Sequence, residues 1–125
     1  MVVVDTNIVI DHLRQPSEKS KLLKLVQEYP DEAIAMSVVS IQELYEGKST
    51  KSEEAQVKLL TTLNTFEILE YSFEVAKLAG TIARDIGRPI DFVDVTIAAT
   101  AIINNAQLAT LNKKDFVDIK DLDLL

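Results

Sequence analysis

Residues 1–7 read Met-Val-Val-Val-Asp-Thr-Asn, and this short stretch decides the fold. Val2–Val4 is continuous, apolar and β-branched, the pattern of a strand buried on both faces. The run stops at a carboxylate, Asp5. From Thr6 to Arg14 the pattern is helical, and Pro16 falls soon after. A buried strand that hands over to a helix through an acidic residue sets the theme for the rest of the chain.

The handover recurs. Ser20–Tyr29 places apolar residues at 22, 23, 25 and 26 and predicts a helix running up to Pro30. Ala33–Met36 is a second short apolar run, with Ser37–Ser40 leading into a helix over Ile41–Glu46 that Gly47 ends. Glu53–Thr65 carries Val57, Leu60 and Leu63 at helical spacing, and Ile68–Leu69 is a candidate strand. Phe73–Ile86 predicts a strong helix stopped by Gly87, followed by a helix from about Phe92 to Asn104. Gln107–Thr110 reads as another strand, and a last strand is expected near Leu122–Leu124. Strands alternating with helices predict an α/β three-layer sandwich with a mostly parallel central sheet. Right-handed crossovers then bring the carboxyl ends of the strands to one edge, where ligands of open α/β sheets sit.

The chain has 125 residues, 47% of them hydrophobic and 26% charged, which suits one domain over residues 1–125 with its own core. No repeat, low-complexity tract or linker interrupts it. The absence of cysteine excludes disulfides, thiolate metal sites and a cysteine nucleophile. Neither a signal peptide nor an apolar run near ~18 residues is present, so a soluble, cytoplasmic protein without membrane association is expected. The net charge of −7 argues against a non-specific nucleic-acid binder that works by bulk charge. It is compatible with a cluster of acidic metal ligands, whose charge the metal reverses locally, and with a basic partner.

Three acids stand where strands give way to helices: Asp5, Glu43 in the first turn after the second strand, and Asp94 in the first turn of the helix from Phe92. Carboxylates meeting at one sheet edge repel one another and raise each other's pKa, a penalty that a divalent cation removes. Hard oxygen donors suit Mg²⁺ or Mn²⁺ and phosphodiester hydrolysis. Each acid also fits an ordinary helix start. Asp5 precedes Thr6 and Asn7, Ser40-Ile-Gln-Glu43 has the form of a capping box, and Asp91 fits a cap with Asp94 in the favoured first turn. Spacing alone leaves both readings open.

At these residues the sequence resembles PIN domains of the VapC toxin type, from residue 2 to about residue 116. The resemblance is carried by Val3-Val4-Asp5-Thr6-Asn7, by Ser37-Val-Val-Ser-Ile-Gln-Glu43-Leu-Tyr-Glu-Gly47, by Asp94-Val-Thr-Ile-Ala-Ala-Thr-Ala, and by Leu108-Ala-Thr110-Leu-Asn112-Lys-Lys-Asp115-Phe116. It implies a metal-dependent endoribonuclease using Mg²⁺ or Mn²⁺, with Asp5, Glu43 and Asp94 as the first three family acids. The fourth acid usually stands two residues after a threonine matching Thr110, and here that position is Asn112. Asn112 is then expected to hold a metal or a water through its amide oxygen, and Asp115, three residues on, is a possible substitute. Thr6 and Thr110 match small polar residues beside the metals. Asp91 is an extra carboxylate, read mainly as a cap. The resemblance further implies a homodimer, a small antitoxin protein that covers the site, and structured RNA substrates, transfer RNA or ribosomal RNA.

Lys113, Lys114, Arg84 and Arg88 are candidates for phosphate contacts near the site, against a default of solvated surface charge. His12, the only histidine, is read as structural rather than as a general base. Tyr45 with Leu44 and Ile41, and Val57 with Leu60 and Leu63, are core faces first and a groove for an antitoxin helix second. Two other readings are a degenerate PIN fold that binds RNA without cutting it, suggested by Asn112, and a nuclease that processes ribosomal RNA.

Overall fold

The computed structural model describes all 125 residues. Strand β1 (Val2–Val4) is as the valines predict, and helix α1 (Thr6–Arg14) follows at once. Helix α2 (Lys21–Glu28) starts at Ser20, whose hydroxyl accepts the Leu23 N–H. Strand β2 (Ile34–Ser37) leads into α3 (Val38–Glu46), and α4 (Glu53–Leu63) precedes β3 (Glu67–Leu69). Helices α5 (Phe73–Asp85) and α6 (Phe92–Ile103) then come before β4 (Gln107–Ala109) and β5 (Asp123–Leu124). No helix is long and apolar enough to cross a membrane.

The second handover differs from the sequence expectation. Helix α3 begins at Val38, not Ile41, because the Ser37 hydroxyl accepts the Val39 N–H at 3.2 Å and caps it there. Val38 and Val39 are β-branched and weak helix formers, which is why the sequence pattern places the start three residues late, after a lead-in over Ser37–Ser40. The capping box expected of Ser40 and Glu43 is therefore absent: Ser40 lies inside the helix, and Glu43 falls in its second turn. The other ends shift by a residue or two, as fraying ends do. At the end of α5, Gly87 adopts φ +78°, the left-handed turn that glycine supplies without strain.

The sheet order is β3-β2-β1-β4-β5, and every neighbouring pair is parallel. Val2 and Val4 face a core with Ile8, Val9, Leu22, Leu44 and Leu59, while Val3 faces Ile97, Ala98, Ala101 and Phe116 across the sheet. That alternation puts helices on both faces, and each fully buried valine contributes about 1.5–3 kcal/mol. Helix α6 is buried from Val95 through Ala101, as an all-round apolar helix must be. From β1 the chain steps outward to β2 and β3, then crosses to the other side of β1 for β4 and β5. The order therefore reverses between β1 and β4, and their carboxyl ends border the crevice where such sheets take ligands.

Candidate active site

Asp5 and Thr110 leave β1 and β4 at that reversal. The Asp5 N–H continues the ladder to the Ala109 carbonyl at 2.9 Å, which sets the two residues side by side. The Thr110 hydroxyl donates to Asp5 Oδ2 at 2.7 Å, and both side chains are buried. Asp5 stands at the N-terminus of α1 yet makes no capping hydrogen bond with its side chain. Its one close side-chain partner is Thr110, while the N–H groups that open α1 act on it more weakly. Burial pushes the Asp5 carboxyl above its ordinary value, the Thr110 bond and the Thr6 and Asn7 N–H groups pull it back, and the charge of Asp115 raises it again.

Asp94, half-buried in the first turn of α6, is pushed up to about 6. Burial is the largest cause, followed by the charges of Asp5, Asp91, Asp115 and Glu43. Acids from three other segments, and the cap of its own helix, thus act on one carboxyl group. Asp91 is the cap of α6: its Oδ2 accepts the N–H groups of Val93 at 3.1 Å and Asp94 at 3.3 Å. Glu43 is half-buried on α3, and Asp115 is half-buried in the 3₁₀ turn Lys113–Asp115. Asn112 is exposed, and its backbone N–H donates to Thr110 Oγ1 at 3.0 Å.

Two residues passed over as site members support this edge. The Asn7 amide donates to Thr110 Oγ1 at 3.4 Å and accepts the Leu111 N–H at 3.3 Å, tying α1 to the segment after β4. The buried Thr6 hydroxyl donates to Ser40 Oγ at 2.9 Å, tying α1 to α3 and so helping to set the position of Glu43. Asn7 was visible in the Asp5-Thr6-Asn7 run. Ser40 was hidden by its resemblance to a cap.

The cations divide. Arg88 forks onto Asp118 at 2.8 Å, donates to the Asp115 carbonyl at 2.9 Å, and is held further toward its charged form by Asp115 and Asp94. Arg84 is engaged with its neighbour Asp85. Lys113 and Lys114 are exposed beside Asn112. His12 Nδ1 meets Ser20 Oγ at 2.8 Å, a structural link to the cap of α2.

No three Asp, Glu or His side chains stand close enough to enclose a bare cation. The electrostatics nonetheless fit a hydrated one. Oxygen donors that raise each other's pKa are relieved by a dication, and Mg²⁺ keeps several waters and takes one or two carboxylates directly.

The sequence pattern of the family described as PIN domain matches residues 2–122. Ribonuclease VapC19 of Mycobacterium tuberculosis is 34% identical over 126 residues, covering 98% of this chain and 97% of that protein. Ribonuclease VapC1 of Methanocaldococcus jannaschii is 32% identical over 98% of this chain and 84% of its own length. Among solved structures, VapBC2 from Rickettsia felis bound to a DNA fragment from its promoter superposes with a TM-score of 0.85 at 32% identity, covering 100% of this chain and 98% of that one.

Proposed function

Since this chain belongs to the PIN-domain family, we propose that it is a metal-dependent endoribonuclease and the toxin half of a toxin–antitoxin pair, acting as one domain. The observation that carries this reading is the state of Asp94, a carboxyl raised to about 6 by burial and by the acids of four other positions. Acids gathered at a sheet's carboxyl edge destabilise the fold unless a cation is to be held there.

Asp5 and Asp94 would ligate the metal directly, with Glu43, Asp115 and the Asn112 amide oxygen reaching it through water. A bound Mg²⁺ or Mn²⁺ lowers the pKa of a water and neutralises charge on the phosphate oxygens. The protein's own part is orientation. Thr110 holds one oxygen of Asp5 and so would fix the orientation of the carboxylate. Asn7 steadies Thr110, and the Thr6–Ser40 bond keeps α1 and α3 in register. Exposed Lys113 and Lys114 are the phosphate contacts proposed, and Arg88 would join them by exchanging Asp118 for the phosphate.

The relatives named VapC ribonucleases and the VapBC complexes support an RNA substrate and a small antitoxin partner. Tyr45, Val57 and Leu60 stay exposed, whereas Leu44 and Leu63 join the core. The exposed three are the surface we assign to partner contact, by the antitoxin or by a second copy of the chain. Transfer or ribosomal RNA is the substrate class proposed, and the cytoplasm the compartment.

The deciding assay is RNA cleavage with added Mn²⁺ or Mg²⁺. Cutting that EDTA stops and Asp5→Asn abolishes supports the reading, and cutting that neither affects refutes it. Asn112 favours a second reading, an RNA-binding module without catalysis. Failure to bind Mn²⁺ at millimolar concentration in calorimetry would select it.

A further inference from the structure

Between α1, α3 and α4 lies a cavity of about 230 Å³. Its floor is apolar, built from Ile10, Leu13 and Leu44, and Glu43 forms part of its wall. Arg14 and Lys48 stand exposed at the rim, and Lys58 joins them while donating to the Leu13 carbonyl at 3.2 Å. Three cations and one carboxylate line this space, in a chain where acids outnumber bases 20 to 13. The three salt bridges of the structure involve neither Arg14 nor Lys48. The charge is therefore inverted locally, left unneutralised, and set beside a carboxylate whose field reaches Asp94.

We propose that this cavity is a nucleotide subsite: it takes one nucleotide of the RNA strand on the Glu43 side of the cut, base on the apolar floor and phosphate between Arg14 and Lys48. The assignment rests on the ribonuclease reading and adds where the strand lies. The size agrees, since the cavity falls below the ~300–1,000 Å³ of sites for larger ligands and suits a single base. The charge pattern agrees as well. A protein of net charge −7 repels a polyanion in general, so its strand must follow the local cations. Covering one face of a base with the aliphatic floor removes apolar surface from water, an attraction that does not depend on charge.

The test compares Arg14→Glu/Lys48→Glu with a control of equal net charge, Lys19→Glu/Lys120→Glu, both confined to exposed positions. Binding of a fluorescein-labelled ten-nucleotide single-stranded RNA is followed by anisotropy in EDTA, which reads binding apart from cutting. The rim variant is expected to bind at least tenfold more weakly than wild type, with the salt slope smaller by about 1.4 for two lost contacts. The control is expected to change affinity by about twofold or less. Equal losses in both variants, unchanged binding in the rim variant, no binding by wild type, or loss confined to a co-expressed antitoxin would each overturn the subsite. Cleavage is scored separately. Wild type that binds RNA without cutting it refutes the ribonuclease reading and leaves the subsite standing. Wild type that cuts, with a rim variant that binds equally well, refutes the subsite alone.

Discussion

Thr110 donates its hydroxyl hydrogen to the Asp5 carboxylate at 2.7 Å, joining residues 105 positions apart across the point where the sheet reverses its strand order. The bond does two things. It satisfies a buried charge, and it ties the end of β1 to the end of β4.

Thr110→Val keeps the shape and removes the donor. A buried carboxylate that loses a charge-assisted bond costs about 1.5–3 kcal/mol, which thermal or urea unfolding will show as a lower midpoint. Cleavage should fall with it, and Thr110→Ser should restore both. Wild-type stability in the valine variant would show that the bond holds nothing in place.

Asp94 binds its proton more tightly in the fold than in the unfolded chain, because its pKa rises from 3.8 to about 6. The fold therefore loses stability as pH climbs through that window and bears the full penalty above it. Asp94→Asn removes the penalty. In metal-free buffer at pH 7.5 the variant should be more stable by about 1 kcal/mol, once solvent screening of this half-exposed group is allowed for. Near pH 4 the two proteins should converge. A destabilised variant at pH 7.5 would contradict the penalty that burial and, after it, repulsion place on this carboxylate.

The same repulsion makes metal binding visible as stability. Mn²⁺ at about 100 times its Kd should stabilise wild type by roughly 2.7 kcal/mol and leave Asp94→Asn nearly unmoved. The measurement is a melting curve with and without Mn²⁺. Equal shifts in both proteins would place the metal elsewhere.

Asp115 and Asn112 compete for the role of the fourth donor. The charge of Asp115 reaches both Asp5 and Asp94, while Asn112 is exposed and offers its backbone N–H to Thr110. Asp115→Asn is therefore expected to weaken Mn²⁺ binding about tenfold, the scale of an outer-shell donor, and Asn112→Ala by less. Calorimetric titration of the two variants decides it, and the reverse order would restore position 112 to the family role.

Much of this molecule is legible along the chain. Val2–Val4 announces a buried strand because β-branched residues without polar interruption have few other homes. Asp91 announces a helix start through its carboxylate cap. Local chemistry failed at Val38, where the Ser37 cap starts the helix within the stretch read as its lead-in, and at Ser40, whose apparent cap is instead a tie to Thr6.

The sequence by itself determined the alternation of strands and helices, and hence which acids stand at the strands' carboxyl ends. Periodicity and capping act over a few residues, so a single chain records them. The tertiary structure alone decided which of those acids share a field, that Asp5 is bonded to Thr110 from the far end of the chain, and that the charge of Asp115 acts on Asp5 and Asp94. Those outcomes depend on parallel pairing between segments about a hundred residues apart, and the order of strands in a sheet is set by packing across the whole core, not by any stretch of neighbours.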